Sequence, residues 1–514
     1  GNTLGARMQH HGWLETRLHA RFPTHNLVIR NLACAGDELT LRLRSKDFGT
    51  PDEWLSGSAP IPQPDKLTHP ETMRTNRFEL TGTKADVIFA IFGYNESFAG
   101  PAGLDKFKQD LGGALKGMLG RQYNGKSAPR IALFSPIAHE NLKNPNLPDG
   151  SANNQNLKLY TAAMAEVAQS NQVVFVDLFT PSLALYAKAR QPLTINGVHL
   201  NERGDQEIAA AIEKGLFGDT PKRSTKLLAK VREAVLDKNF YWFNRYRVTD
   251  GYSTYGARAF LVFHKSSERQ VKGKQAVDAE GLLPTNYEVL QRELEVLDVM
   301  TANRDQRIWA AAQGQNVKVD DSNTPPFITP DSNKPGKKPD GSHEFLSGAD
   351  ALKAMTVAKG MKVNLFASEE KFPVLSKPVQ MAFDTKGRLW VATWPSYPHW
   401  QPKSEMEDKL LILKDTDGDG DADSYTVFAD HLHNPTGFEF YNGGVIVAQV
   451  PDILFLKDTN GDDKADVRER ILHGMDSADT HHSANSFAID PGGAFYWQEG
   501  TFHHTQVETP WGPA

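Results

Sequence analysis

Hydrophobic periodicity switches once along this chain, and the switch limits what the chain can fold into. Up to about residue 218, short apolar runs alternate with helical stripes. Val28-Ile29 to Leu32, Val87 to Phe92, Ile131 to Phe134 and Val173 to Leu178 read as buried parallel strands. Residues 4–21 place Leu4, Met8, Leu14 and Leu18 near one helical face, and residues 202–216 place Ile208, Ile212 and Leu216 on an i, i+4, i+8 stripe. Such alternation implies a parallel sheet covered by helices on both faces. Residues 50–70, rich in Pro and Ser, read as a surface excursion.

Residues 219–314 read as a helical connector that packs on the first domain. Lys226 to Tyr246 is a long helical run, and Thr285-x-x-Glu288 is a capping box opening a helix that carries Leu290, Leu294 and Leu297. Residues 315–344 are polar, hold several Pro and Gly, and form a linker. From 345 to 514 the period becomes that of strands: Lys362 to Phe366, Val379 to Phe383, Arg388 to Thr393, Leu410 to Leu413, Gly444 to Gln449 and Ile453 to Leu456. The heptapeptide from Leu413 to Asp419 recurs 43 residues later, from Leu456 to Asp462. A period near 40–50 with several strands per repeat points to propeller blades, and about 170 residues are too few to close the ring. The fold expected is therefore multidomain: an α/β three-layer domain of flavodoxin-like type (1–218), the connector, the linker and a partial all-β propeller.

At 514 residues the chain has room for two to four cores. A net charge of −6 with no concentrated Lys/Arg face argues against nucleic-acid partners, and no run reaches the roughly 18–20 apolar residues of a membrane span. A single cysteine, Cys34, excludes an internal disulfide and a CxxCH haem attachment within this stretch. Gly1 already lies inside a motif, and the chain stops at Pro513-Ala514 after a His-rich stretch, so both ends read as cut and say nothing about compartment.

Four blocks lie at the C-terminal ends of the expected strands, where open parallel sheets bind ligands. They are Gly1-Asn2-Thr3-Leu4, Asn31 to Asp37 with Gly36 in it, Gly93-Tyr94-Asn95-Glu96, and Asn196-Gly197-Val198-His199. Their order and context resemble the SGNH/GDSL hydrolases, whose blocks are Gly-Asp-Ser-Leu, a Gly, Gly-x-Asn-Asp and Asp-x-x-His. The resemblance implies an esterase with Thr3 as nucleophile, His199 as base, Asn196 as its orienting partner, and an oxyanion hole from the Gly36 and Thr3 backbone N–H groups and the Asn95 amide. No cofactor is implied for this domain; the expected substrate is a small-molecule or carbohydrate ester.

Two residues depart from the family. Thr3 adds a methyl that restricts χ1, and Asn196 replaces an aspartate, a change that costs a serine triad about ten-thousand-fold in rate. Other readings of the same residues are a helix N-cap for Thr3, a capping role for His199 at the following helix, and a degenerate domain that binds carbohydrate without cleaving it.

The repeated acidic loops carry oxygen ligands at alternating positions with glycine at the turn. Asp415, Asp417, Asp419, Asp421 and Asp423 form one set; Asp458, Asn460, Asp462 and Asp466, with Glu469 at position 12, form the other. This is a Ca²⁺-loop pattern with a structural role expected, and a hydrated β-turn is the alternative. Residues 345–514 resemble the N-terminal part of a glucose/sorbosone-dehydrogenase-like propeller. The stretch from His482 through Asp490-Pro491-Gly492-Gly493 to Tyr496 carries the match. By it His482 is the base for quinone-dependent sugar oxidation; His481, His503 and His504 lie near it in sequence, and a metal site or a polar channel rim is the alternative. The joint architecture resembles planctomycete and verrucomicrobial proteins described as membrane-bound dehydrogenases. That implies export to the periplasm or cell surface, a quinone only in a full-length propeller, and a haem module further along the chain.

Overall fold

A computed structural model of the chain describes residues 1–44, 48–58, 83–249, 277–278, 281–282, 286–328, 346–397, 399–477, 479–500 and 503–514. Gly12 divides the helix expected over residues 4–21 into α1 (Thr3–His11) and α2 (Trp13–Arg21). It sits at φ 73°, where its N–H closes α1 on the Met8 carbonyl at 2.8 Å. A Cβ there would lie 3.1 Å from both Val235 and Leu236, so glycine serves the left-handed turn and the close approach of a third helix. In the excursion, α3 (Pro51–Ser56) starts with a Thr50/Glu53 capping box; residues 59–70 of it lie outside the described residues.

The sheet is parallel, in the order β1 (Val87–Ile91), β2 (Arg130–Phe134), β3 (Val174–Val176). Ile88, Ala90, Ile131 and Leu133 face α4 (Leu104–Leu119) and α5 (Ser151–Ser170) through Leu111, Leu115, Tyr160 and Met164. Ile91, Phe134 and Val176 face α1 and α7 (Glu202–Phe217) through Leu4, Met8, Ile208 and Ile212. The alternation of strand side chains thus feeds two separate cores, giving three layers. Helix α6 (Phe179–Lys188) follows β3.

The strand expected at 28–32 is not formed: these residues are extended but unpaired. A groove of about 2180 Å³ separates Leu27–Ala33 from β1 and leaves Val28 and Val87 exposed. Only at its end does backbone bridge the two sides, with Cys34 N–H donating to Gly1 and Asn2 N–H to Ile91. With the side chains of Lys238, Trp242, Tyr246 and Trp309, not a strand, on its backbone carbonyls, the segment has no ladder to join.

Helix α8 (Thr225–Arg247) crosses α1 and α2 and pairs with α9 (Asn286–Ala312). Between them lies the short hairpin β4 (Val277–Asp278) and β5 (Gly281–Leu282). The contact is polar as well as apolar: Lys238 meets Glu15 at 2.8 Å, and Arg30 meets Asp305 at 2.6 Å, all four largely buried. Thr285 of the expected capping box lies outside the described residues.

After the short α10 (Gly348–Ala354), residues 362–366 are likewise unpaired, contrary to expectation. Strands β6 (Pro378–Phe383), β7 (Leu389–Thr393), β8 (Asp408–Lys414) and β9 (Ser424–Leu432) form one antiparallel meander; β10 (Phe438–Tyr441), β11 (Gly444–Gln449), β12 (Asp452–Lys457) and β13 (Val467–His473) form the next. Their facing side chains, among them Trp390, Leu410, Ile412, Phe438, Val447 and Leu454, share one core. The repeated acidic loops both join the third strand to the fourth. Two further hairpins follow, β14 (Asn485–Ile489) with β15 (Phe495–Gln498), and β16 (Glu508–Thr509) with β17 (Gly512–Pro513). Among the described residues the sheets close no barrel or propeller ring, and no helix is long and apolar enough to cross a membrane.

Candidate active site

All four blocks meet at the C-terminal edge of the parallel sheet. Thr3 is the first residue of α1, not its cap; Asn2 is the cap residue, and its side chain makes no capping bond. Thr3 is almost fully buried, and its Oγ1 accepts the Gly36 N–H at 3.1 Å. Gly36 sits at φ 78°. The Asn95 amide donates to the Gly36 carbonyl at 3.2 Å, fixing that peptide from the other side. The Glu96 carboxylate ties two blocks together, accepting Gly93 N–H and Leu39 N–H at 2.9 Å each. Burial drives its pKa up to about 7.

The loop carrying His199 is held from beneath by Glu140. Its carboxylate accepts the N–H groups of Leu193 and Thr194 and the Thr194 hydroxyl, while Thr194 Oγ1 accepts Gly197 N–H at 3.0 Å. Gly197 stands at φ 98°, and a Cβ there would fall 2.5 Å from His139 Nε2. The Arg7 guanidinium reaches the Leu200 carbonyl through Nε and Nη2, at 3.2 and 3.0 Å. The helix after the loop is capped by Asn201, whose side chain accepts Gly204 N–H at 2.9 Å; His199 plays no part in that cap.

Asn196 determines the protonation of His199. Its Oδ1 accepts the backbone N–H groups of His199 at 3.0 Å and Val198 at 3.3 Å, so its NH₂ group is the end that faces His199 Nδ1, at 3.0 Å. A donor opposite Nδ1 requires a lone pair there, which puts the proton of a neutral ring on Nε2. An aspartate in that place would accept from Nδ1–H and free the Nε2 lone pair for a nucleophile. The imidazole is fully buried, which lowers its pKa.

What Nε2 faces is a carboxylate from the far end of the chain. Glu508 Oε1 lies 3.3 Å from it, a charge contact lying off the hydrogen-bond axis, and both side chains are buried. Glu508 belongs to the last hairpin, which lies across the four blocks. The Tyr94 hydroxyl donates to the Thr509 carbonyl at 2.9 Å, and the Asn153 amide donates to the Pro510 carbonyl at 3.1 Å. The Gln506 carbonyl comes so close to Gly36 that a Cβ on Gly36 would be 2.5 Å from it.

Residues 5–207 match the GDSL-like Lipase/Acylhydrolase family model. This stretch is a GDSL-type acylhydrolase domain. Residues 347–511 match a second family model, a domain of unknown function designated DUF7133. Among solved structures, a catalytic mutant of Axe2, an acetylxylan esterase from Geobacillus stearothermophilus, is 15% identical over 27% of this chain and 64% of that one, with a TM-score of 0.22. The acetyl xylan esterase AlAXEase is 20% identical over 26% and 67%, with a TM-score of 0.21. The chain thus spans slightly under two thirds of the Axe2 esterase. Comparison with curated proteins gives no match.

Hydrogen bonds join Thr3, Gly36 and Asn95 in one group and Asn196 with His199 in another. Sequence reasoning missed Glu508, Arg7, Glu140 and Tyr94. Glu508 sits in an unremarkable Val-Glu-Thr-Pro run, and nothing local marks it; Arg7 could be suspected only as a cation in the middle of a helix whose neighbours are buried.

In the β region, Asp415, Asp417 and Asp419 place carboxylate oxygens within 4.8 Å of one another, a donor set that suits a hard cation. Asp415 also accepts Gly418 and Gly420 N–H groups, and Asp423 accepts Thr416, so these two shape the loop; Asp421 meets Lys371 at 2.9 Å. The second loop is closed by the same kind of bonds. Asp458 is engaged by Asn460, Gly461 and Asp463 N–H groups, Asn460 Oδ1 and Asp462 each take an N–H two residues on, and Asp466 takes Thr459. Glu469 lies on β13, and its charge acts on Arg7 of the GDSL-type domain. His482 is half exposed, with Nδ1 2.9 Å from Asp479 Oδ2. His481 shares that carboxylate, and His503 reaches the Asp479 carbonyl at 3.1 Å.

Proposed function

We propose that the GDSL-type domain hydrolyses esters of acylated carbohydrates, with Thr3 as the nucleophile. The observation that carries this reading is the Gly36 N–H to Thr3 Oγ1 contact at the head of α1, which sets hydroxyl and oxyanion donor side by side. In the reaction Thr3 Oγ bonds to the ester carbonyl carbon, and its proton passes to His199 Nε2. The alkoxy C–O bond breaks, and the departing alcohol takes that proton. Water then releases the acid by the same steps. For this, His199 must carry its lone pair on Nε2. The test is hydrolysis of p-nitrophenyl acetate and of acetylated xylo-oligosaccharides; His199→Ala and Thr3→Ala must each abolish it, and turnover that survives either substitution refutes the assignment.

A second reading has its own support in the polarity of the Asn196–His199 contact. A ring with Nε2 protonated is no base, and the domain would then bind a carbohydrate ligand without cleaving it. Saturable binding with no turnover would select that reading.

For the β region we propose a structural Ca²⁺ at Asp415, Asp417 and Asp419, with Asp423 shaping its loop and Asp421 paired to Lys371 beside it. The second loop, Asp458, Asn460, Asp462 and Asp466 with Glu469, is proposed as a second such site. The pairing of His482 with Asp479 suits a general base, in keeping with a quinone-dependent sugar dehydrogenase built on a longer propeller. Export and a haem module further along the chain belong to the same proposal.

A further inference from the structure

The last hairpin does more than border the site: it takes up the positions that a substrate and a nucleophile would need. The Gln506 carbonyl fills the space directly against Gly36, the residue whose N–H would serve an oxyanion. The Glu508 carboxylate stands 3.3 Å from His199 Nε2, the atom that must receive the Thr3 proton. Thr3, Asn95 and His199 are each no more than 2% exposed. Two hydrogen bonds from the GDSL-type domain, Tyr94 to Thr509 and Asn153 to Pro510, hold the hairpin there, and Gly512 lies against the Phe98 ring. The hairpin is itself a closed unit, with Val507 and Ala514 exchanging both backbone hydrogen bonds at 2.9 Å.

We propose that residues 505–513 are an autoinhibitory strap, so that this conformation is the latent state of the hydrolase and activity requires the strap to lift. The proposal rests on the ester-hydrolase reading of the same site. Asn196 completes the device. By holding the His199 proton on Nε2, it turns that atom into a donor that suits a carboxylate. When the strap leaves, Nε2–H loses the facing carboxylate, and the ring is free to exchange its proton with solvent and take the other tautomer. Lifting the strap by a few ångströms would also open the space beside Gly36 that the Gln506 carbonyl now fills.

The test uses the whole chain, with Glu508→Ala and the double variant Tyr94→Phe/Asn153→Ala, each checked for its fold by circular dichroism. Two rates are measured: carbethoxylation of His199 by diethyl pyrocarbonate, read by peptide mass against exposed His25, and hydrolysis of p-nitrophenyl acetate. We expect His199 in the wild type to react far more slowly than His25, and both rates to rise about tenfold in each variant, as the loss of one buried charge contact or of two hydrogen bonds of about 1 kcal/mol each implies. Wild-type His199 that labels as fast as His25 overturns the strap, as do unchanged rates in folded variants. Wild-type ester turnover equal to that of the variants also overturns it, while leaving the hydrolase reading intact. Faster labelling without any turnover upholds the occlusion and refutes the hydrolase reading instead.

Discussion

Replacing Arg7 with leucine tests whether the His199 loop and the β region are one structural unit. The guanidinium is buried between them. Besides its two bonds to the Leu200 carbonyl, Nη1 donates to the Arg470 carbonyl at 2.8 Å and meets His473 Nε2 at 2.6 Å. His473 passes the contact on, its Nδ1 lying 2.8 Å from Asp452 Oδ1. Burial pulls the Arg7 pKa down to about 10, still high enough to keep it charged at neutral pH. Leucine would fill part of the volume but strand two carbonyls and an imidazole nitrogen, and leave Glu469 without the cation that offsets its charge, while Asp452 would keep Arg470 at 2.8 Å. Removing one partner of a buried charged network costs about 3–5 kcal/mol. Lysine would recover only part of this, because a single ammonium cannot satisfy three acceptors that the guanidinium fork reaches in three directions. Urea denaturation with amide hydrogen exchange gives the readout. Arg7→Leu should lower the transition midpoint and raise exchange at the bonded amides of Ile195 and Asn201 in the His199 loop. A loss below about 1 kcal/mol, or exchange confined to the β region, would mean that Arg7 does not couple the two.

Four other outcomes follow from the same geometry. Asp205 is fully buried, and its pKa is raised to about 7 by that burial. The folded chain therefore keeps a proton that the unfolded chain loses near pH 4, and stability falls as pH rises between the two. Asp205→Asn should remove a slope of about 1.4 kcal/mol per pH unit, seen as a higher melting temperature at pH 8 than the wild type and near equality at pH 4. His473 works in the opposite direction: burial lowers its pKa to about 4, against the opposing pull of Asp452. Unfolding then takes up a proton between about pH 4 and 6.5, stability falls on acidification through that window, and His473→Asn should flatten the acid limb by about one proton. Calcium at ten times its dissociation constant should stabilise the chain by about 1.4 kcal/mol in a thermal-shift titration, and Asp417→Asn should abolish the effect; an equal shift in the variant refutes the site. Asn196→Asp should place carboxylates at both ring nitrogens of His199, so that its pKa, now below the ordinary value, rises above it; imidazole NMR titration that shows no rise would contradict the tautomer assigned here.

Much of the α/β domain was legible because its information is local. The runs at 87–92 and 131–134 carry their own burial pattern, and α7 shows its apolar stripe without help from any neighbour. The segment at 28–32 has an equally apolar run, yet a strand exists only when another backbone lies beside it, and here a groove does. Gly12 was hidden for a different reason: an apolar stripe can run on across a left-handed residue, so the stripe reads as one helix where the backbone makes two. For the site, the motif blocks located Thr3, Gly36, Asn95, Asn196 and His199 because each block carries its residues within a few positions of one another. The groups that set their chemistry are not local at all. Arg7 gains its role from Leu200, Arg470 and His473, and no stretch of sequence shows these four together.

The departure at 196 illustrates the same point most sharply. Seen within its own block, asparagine for aspartate is a loss, since it removes the negative charge that supports an imidazolium. Seen with Glu508 in place, it is a match. A carboxylate at 196 would take the proton to Nδ1, and the lone pair left on Nε2 would face the Glu508 oxygen, acceptor against acceptor, in a buried site where such a contact is costly. Asparagine reverses the ring, and each nitrogen then faces a group of the opposite kind. The residue that weakens the histidine as a base is therefore the one that lets the last hairpin seat against it, so positions 196 and 508 are halves of one arrangement.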